Sequence, residues 1–292
     1  MASNYEVEKA VDGTPLTREN VQGKGIYFVE GKCMADTNEP KNKARTNKSF
    51  YLENVLKPGI ESGKIGDGVK SKWDDRKPRL ESIALKGHIE VKTGITYFGE
   101  NKSCISRGEK NPEEAVKLHR LGEDVYGDRY AFFARAPGVS GAVISLDGKM
   151  ILGVRLQEDS QGLLHPVGGY LPFKENPADI NIDEQLRNEL HEEFGVLANN
   201  IANTRFVGIY GNPLTGEVDF VHHVYTTLPV NYFTSGEFRK NAIDKEHGDI
   251  VVIPDLSSAE ELLKEGTLLG QKRNLMYTAR GSLEALRLGD LF

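Results

Sequence analysis

The sequence predicts an α/β domain preceded by an α+β extension, and three observations carry the prediction. From Ala136 onward, short apolar runs recur between turn residues, as strands do. The first two runs, 138–146 and 149–156, meet at Asp147-Gly148, a dipeptide that suits a tight hairpin. Farther on, Leu186, Leu190 and Phe194 recur at helical spacing and are stopped by Gly195.

Residues 1–130 make up the extension and 131–292 the α/β domain; 292 residues suffice for one large domain or two ordinary ones. Residues 1–80 are rich in Lys, Asn, Gly and Asp. Within them Gly25-Ile-Tyr-Phe-Val-Glu30 reads as a strand, and the polar stretch 37–49 as a loop. Ile83, Leu85, Ile89, Val91 and Ile95 indicate one or two strands around Gly87, and Phe98-Gly-Glu-Asn101 then reads as a turn. A capping Asn111 and Pro112 start a helix that runs to about Tyr126. In the second part, an extended run over 163–171 delivers Gly168-Gly169 to the acidic helix. Strands follow over 205–210 and 218–228, then a short helix from Ser257 to Gly266. Residues 270–288 read as a closing helix with a weak point at Gly281.

Composition narrows the function classes. With 38% hydrophobic and 27% charged residues the chain has the profile of a globular protein. A net charge of −6 offers no broad basic surface, so nucleic acid is not an expected partner. No apolar run reaches the ~18–20 residues of a membrane span. Cys33 and Cys104 form no disulfide framework and are expected as reduced thiols. The first residues lack the pattern of a signal peptide, and a cytoplasmic setting is the expectation.

The chemistry concentrates between Gly169 and Val196. At about 100° per residue, Glu189, Glu192 and Glu193 share one side of a helix. Glu189 and Glu193 flank the apolar stripe, and Glu192 lies farther toward solvent. Carboxylates crowded at the edge of a core resist ionisation unless a cation neutralises them. Hard oxygen donors of this kind suit Mg2+ or Mn2+. For the glutamates alone, a solvated acidic face is the plain alternative.

Gly169, five residues and Glu175, followed by Glu189, Leu190, Glu192, Glu193, Gly195 and Val196, resemble a Nudix box. The box reads Gly, five residues, Glu, seven residues, then Arg-Glu-apolar-x-Glu-Glu-x-Gly-apolar. Two positions depart from it: the middle interval is five residues longer, and Asn188 stands where the box has arginine. Arg187, one position earlier, points about 100° away. The resemblance implies a Nudix α/β/α sandwich over about residues 130–292. It further implies Mg2+ or Mn2+ held by Glu189, Glu192, Glu193 and the carbonyl of Gly169, with Glu175, Glu192 and Glu193 in catalytic roles. The implied reaction is hydrolysis of the pyrophosphate in a nucleoside diphosphate linked to a second group. Residues 88–101 are similar to a segment of longer family members related to UDP-glucose pyrophosphatases, which favours a nucleotide sugar. ADP-ribose is the alternative substrate, with Pro213 near the spacing expected for it, and a Nudix-fold binding protein without turnover is the non-enzymatic alternative.

Other candidates are read from position. Arg155, at a strand end, could contact phosphate, as could His165, with plain surface positions as the alternative for both; Tyr170 and Tyr210 could stack on a base, with core or rim packing as the alternative. Glu217 and Asp219 are candidate proton acceptors beside turn-acid readings. His222 and His223 point to opposite faces of their strand, so that one could approach the site. The extension either walls the pocket of a nucleotide-type small molecule or makes a homodimer contact, with a passive role as the alternative.

Overall fold

Runs rich in β-branched and small residues pair into a nine-stranded mixed sheet, as the α/β expectation requires. The computed structural model describes residues 5–31, 75–156, 160–244, 246–287 and 290–291. The first four strands are β1 (Glu6–Val7), β2 (Ile26–Glu30), β3 (Arg76–Leu85) and β4 (Ile89–Tyr97). Next come β5 (Pro137–Ile144), β6 (Met150–Arg155), β7 (Leu163–His165) and β8 (Val167–Tyr170). The remainder are β9 (Ile201–Gly211), β10 (Val218–Thr226), β11 (His247–Ile253), β12 (Thr267–Leu268), β13 (Gln271–Lys272) and β14 (Asn274–Leu275). The helices are α1 (Arg18–Val21), α2 (Phe98–Lys110), α3 (Pro112–Tyr126) and α4 (Ile182–Phe194), then α5 (Val230–Thr234), α6 (Phe238–Asn241), α7 (Leu256–Glu265) and α8 (Tyr277–Glu284).

The large sheet follows the order β1-β9-β10-β5-β6-β7-β14, with β8 on β5 and β11 on β6. β5 is buried along its whole length, because α4 covers one face of the sheet and α7 and α8 the other. One edge of β5 pairs in parallel with β10; the other is shared by β6 and β8, so the sheet forks there. Gly141 lets α4 approach, since a Cβ there would lie 2.8 Å from Leu186. The Asn181 side chain caps α4 by accepting from the N–H of Glu184, and Gly195 ends it at φ 61°. Leu186, Leu190 and Phe194 are fully buried against the sheet.

The N-terminal segments share this core. β2, β4 and β3 form a three-stranded sheet whose Phe28, Leu80, Ile89 and Val91 belong to the cluster of Val139 and Phe220. β1 adds to the edge of β9, and the N–H of Leu80 donates to the carbonyl of Arg135 at 3.0 Å.

Several local expectations are corrected. Residues 98–110 are helical instead of opening as a turn, because Gly99, Ser103, Cys104 and Gly108 let α2 pack closely on all sides despite its polar sequence. The run 163–171 breaks at Pro166, which has no N–H for a ladder, and the chain changes partner from β6 to β5. The closing helix is confined to α8; Leu269 and Gly270, at φ 49° and 75°, turn the preceding chain into the β12–β13 hairpin. Asp255, not Ser257, caps α7, and Asn111 caps α3 without a side-chain bond. The expected loop 37–49 and Cys33 lie outside the described residues, and Cys104 is buried, its sulfur accepting from the N–H of Ala134 at 3.4 Å. Among the described residues no helix is long and apolar enough to cross a membrane.

Candidate active site

Helical spacing brings Glu189 and Glu193 to the same side of α4, one turn apart, where both meet β8. A Cβ at position 169 would lie 2.1 Å from Oε1 of Glu189, so this carboxyl group fits only against a glycine. The amide of Gly168 lies 3.4 Å from Oε2 of Glu193. Gln185 donates to Oε1 of Glu189 at 2.6 Å. Burial, then the charge of Glu193, pushes the Glu189 carboxyl up to about 7. Burial, then Glu246, raises Glu193 well above the usual carboxylate range, with Arg155 acting in the opposite sense. Glu192 is exposed, and its backbone carbonyl accepts from Ile243 and Asp244.

A second group, from β6, β7 and β11, closes round Glu193. Nε2 of His247 lies 2.7 Å from Oε2 of Glu193, deeply buried. Its ring occupies the space left by Gly153, stacks on His165 at 5.8 Å and meets Phe194 at 5.2 Å. Burial, then Arg155, lowers His247 to about 3, and the same two causes lower His165. Arg155 is paired with Glu246 at 2.6 Å and reaches Ser160 at 3.4 Å.

From the α8 face comes Asp219. A Cβ on Gly138 would lie 2.0 Å from Oδ1 of Asp219 and 3.1 Å from the carbonyl oxygen of Gly169, so both oxygens flank one bare glycine. The Tyr277 hydroxyl donates to Asp219. Burial raises the Asp219 carboxyl to about 7, against the lowering effect of that hydrogen bond. Tyr170 is half-buried at this edge, with the Phe98 ring edge-on at 6.2 Å.

The remaining sequence candidates fall elsewhere. Glu175 is exposed and held by Arg76 at 2.8 Å, beside a cavity of about 120 Å³ lined also by Glu30, Thr93 and Phe173. Arg187 is exposed on α4. Tyr210 is no stacking platform for a base: it is 3% exposed, its ring stacks on Tyr5 and its hydroxyl donates to the carbonyl of Val207. His222 and His223 do take opposite faces of β10, but both are buried in the core, against Phe206 and the Ser282 carbonyl respectively. Glu217 exchanges hydrogen bonds with Thr215 as a turn acid. His247, Glu246, Gly153 and Tyr277 were not among the sequence candidates; an isolated glycine inside a strand run, at 153, is the one local sign of a close approach.

Among the described residues, no group of three or more His, Cys, Asp or Glu side chains converges closely enough to hold a metal ion by itself. Glu189, Glu193 and the Gly169 carbonyl nevertheless suit a hard cation that completes its shell with water and phosphate oxygens. The donors are oxygens, and burial raises both carboxyl groups, with the charge of Glu193 next for Glu189 and that of Glu246 next for Glu193, a strain on the charged forms that a cation would relieve.

No family model and no curated protein matches the chain. Solved structures do. A NUDIX hydrolase from Nitrosomonas europaea is 13% identical, with 54% of this chain and 91% of that one covered at a TM-score of 0.35. The Bacillus subtilis pyrophosphohydrolase BsRppH is 14% identical, with 55% and 82% covered at 0.31. A bifunctional NMN adenylyltransferase/ADP ribose pyrophosphatase from Francisella tularensis is 14% identical, with 67% and 49% covered at 0.35. The chain is similar, at these low scores and over part of its length, to Nudix hydrolases and pyrophosphohydrolases of known structure.

Proposed function

We propose that the protein is a divalent-metal-dependent Nudix pyrophosphohydrolase that cleaves a nucleoside diphosphate linked to a second group, with a nucleotide sugar preferred. The observation that carries this reading is the seat of half-buried Glu189 against bare Gly169, with Glu193 one turn later and more deeply buried. Glu189, Glu193, the Gly169 carbonyl and, at the exposed rim, Glu192 would hold Mg2+ or Mn2+. When bound, the ion supplies positive charge to the phosphoryl oxygens, where the barrier to hydrolysis is concentrated.

The chain's own residues account for the rest. Water adds to one phosphorus, the bridging P–O bond breaks, and a nucleoside monophosphate and a phosphorylated second group leave. Asp219 takes the proton from the water; its carboxyl group, raised to about 7, is matched to that task near neutral pH, and Tyr277 fixes its orientation. Arg155 sets a positive charge behind Glu193. Tyr170 and Phe98 form a wall to which the N-terminal extension contributes. The likeness of residues 88–101 to nucleotide-sugar pyrophosphatases supports the sugar substrate.

The test is a screen with Mg2+ and Mn2+ over UDP-sugars, ADP-sugars, ADP-ribose, dinucleoside polyphosphates and nucleoside triphosphates, read by phosphatase coupling. Glu193→Gln should lower turnover by roughly 10²–10⁴. Equal rates in wild type and variant on every substrate would sink the proposal. A second reading, a binding protein without turnover, is favoured by one observation: Glu175 is drawn away to Arg76 and does not join the helix glutamates. It predicts tight binding of one of these compounds with no product.

A further inference from the structure

His247 opens β11, far along the chain from α4, yet among the described residues its ring is the one side chain that reaches the Glu193 carboxyl group with a short hydrogen bond. The seat is built for it. A Cβ at position 153 would lie 2.1 Å from Nδ1 and 2.5 Å from Cγ of the ring, so Gly153 leaves the space that His247 fills. His165 on one side and Phe194 at the edge hold the ring in that plane. Nε2 meets Glu193 at 2.7 Å, whereas Nδ1 is buried with no hydrogen-bond partner. A hydrogen on Nδ1 would be a buried donor without an acceptor, at a cost of about 1–3 kcal/mol. The hydrogen therefore sits on Nε2, and His247 donates. Gly168 donates to the same oxygen, Oε2, and among the described residues no donor ends on Oε1.

We propose that His247 is the positioning residue of the metal site: by donating to Oε2 of Glu193 it turns Oε1 outward as the oxygen offered to the cation. The inference rests on the reading of α4 as a metal site. It assigns the orienting contact to a strand outside the box, in a chain whose position 188 is Asn and whose Arg187 is exposed. A group that orients a metal ligand in this way typically contributes 10–100-fold to affinity, as a general magnitude of about that size.

The experiment measures Mn2+ alone binding to the full-length, metal-free protein, with free Mn2+ read by electron paramagnetic resonance and folding checked by circular dichroism. His247→Leu should weaken binding about 10–100-fold. His247→Gln, whose amide can still donate, should recover most of it. Gly153→Ala, which displaces the ring, should weaken binding as His247→Leu does and serves in its place if that variant does not fold. Wild-type affinity in folded His247→Leu or Gly153→Ala overturns the proposal. So does an equal loss in the Leu and Gln variants, because then the ring's volume matters and its N–H does not. The parent reading fails separately: wild type that takes up no Mn2+, or Glu193→Gln that keeps wild-type affinity, removes the metal site and this inference with it. Binding lost in Glu193→Gln but kept in His247→Leu removes the inference alone.

Discussion

At position 169 an absent atom sets the geometry, since the Glu189 carboxyl group occupies the place where a Cβ would stand. Gly169→Ala should push that group out of line and lower turnover about 100-fold, the usual effect of an ångström-scale misplacement. Wild-type kcat in a folded Ala variant would show that the carboxyl group has room elsewhere. Gly169, Glu189 and Glu193 were legible in the sequence because their relation is local: helical spacing alone puts the two acids together. His247 was not, because 54 residues separate it from Glu193 and no local rule pairs β11 with β6. Tyr210 misled for a related reason. An aromatic residue at a strand end looks the same whether its ring meets a ligand or, as here, Tyr5.

Elements with a strong period and a proper cap were readable, and α4 had both. α2 had neither, and tertiary packing of its small residues overrides its polar sequence. That helix has a use in the proposed site, because its first residue sets the Phe98 ring against Tyr170. An edge-on aromatic contact is worth about 0.5–1.5 kcal/mol. Phe98→Ala should therefore raise KM by up to about tenfold with little change in kcat; equal KM values across substrates would take the extension out of the pocket. In β10, burial lowers His222 and His223 to about 4 from the usual 6.5. The unfolded chain thus takes up protons before the folded one does. Their contribution to stability is complete above pH 6.5 and is lost as pH falls toward 4, on the order of 3 kcal/mol for each. Asp219, raised to about 7, acts with the opposite sign, so the term is isolated by comparison. His223→Gln should shrink the loss of urea stability between pH 7 and pH 4.5; an unchanged loss would mean that His223 does not stay neutral in the fold.

Across the whole molecule, Asp290 joins distant segments: it pairs with Arg18 and with Arg205 at 2.6 Å, and accepts from Tyr225 at 2.9 Å. Asp290→Ala leaves the Arg18 guanidinium buried without its carboxylate, which should cost about 3–5 kcal/mol of unfolding free energy. A loss under about 1 kcal/mol in urea at an unchanged m-value would show that the guanidinium finds other partners. The division of the site between the two helical layers has a consequence for biosynthesis. Glu189 and Glu193 emerge from the ribosome with α4, but His247 follows on β11 and Tyr277 only with α8. A nascent chain that has released α4 alone carries the acids without the imidazole that holds one of them or the phenol that steadies Asp219. If the proposed function holds, translation products interrupted in that interval would be inert toward nucleotides, and the onset of hydrolysis would report that the last layer has docked.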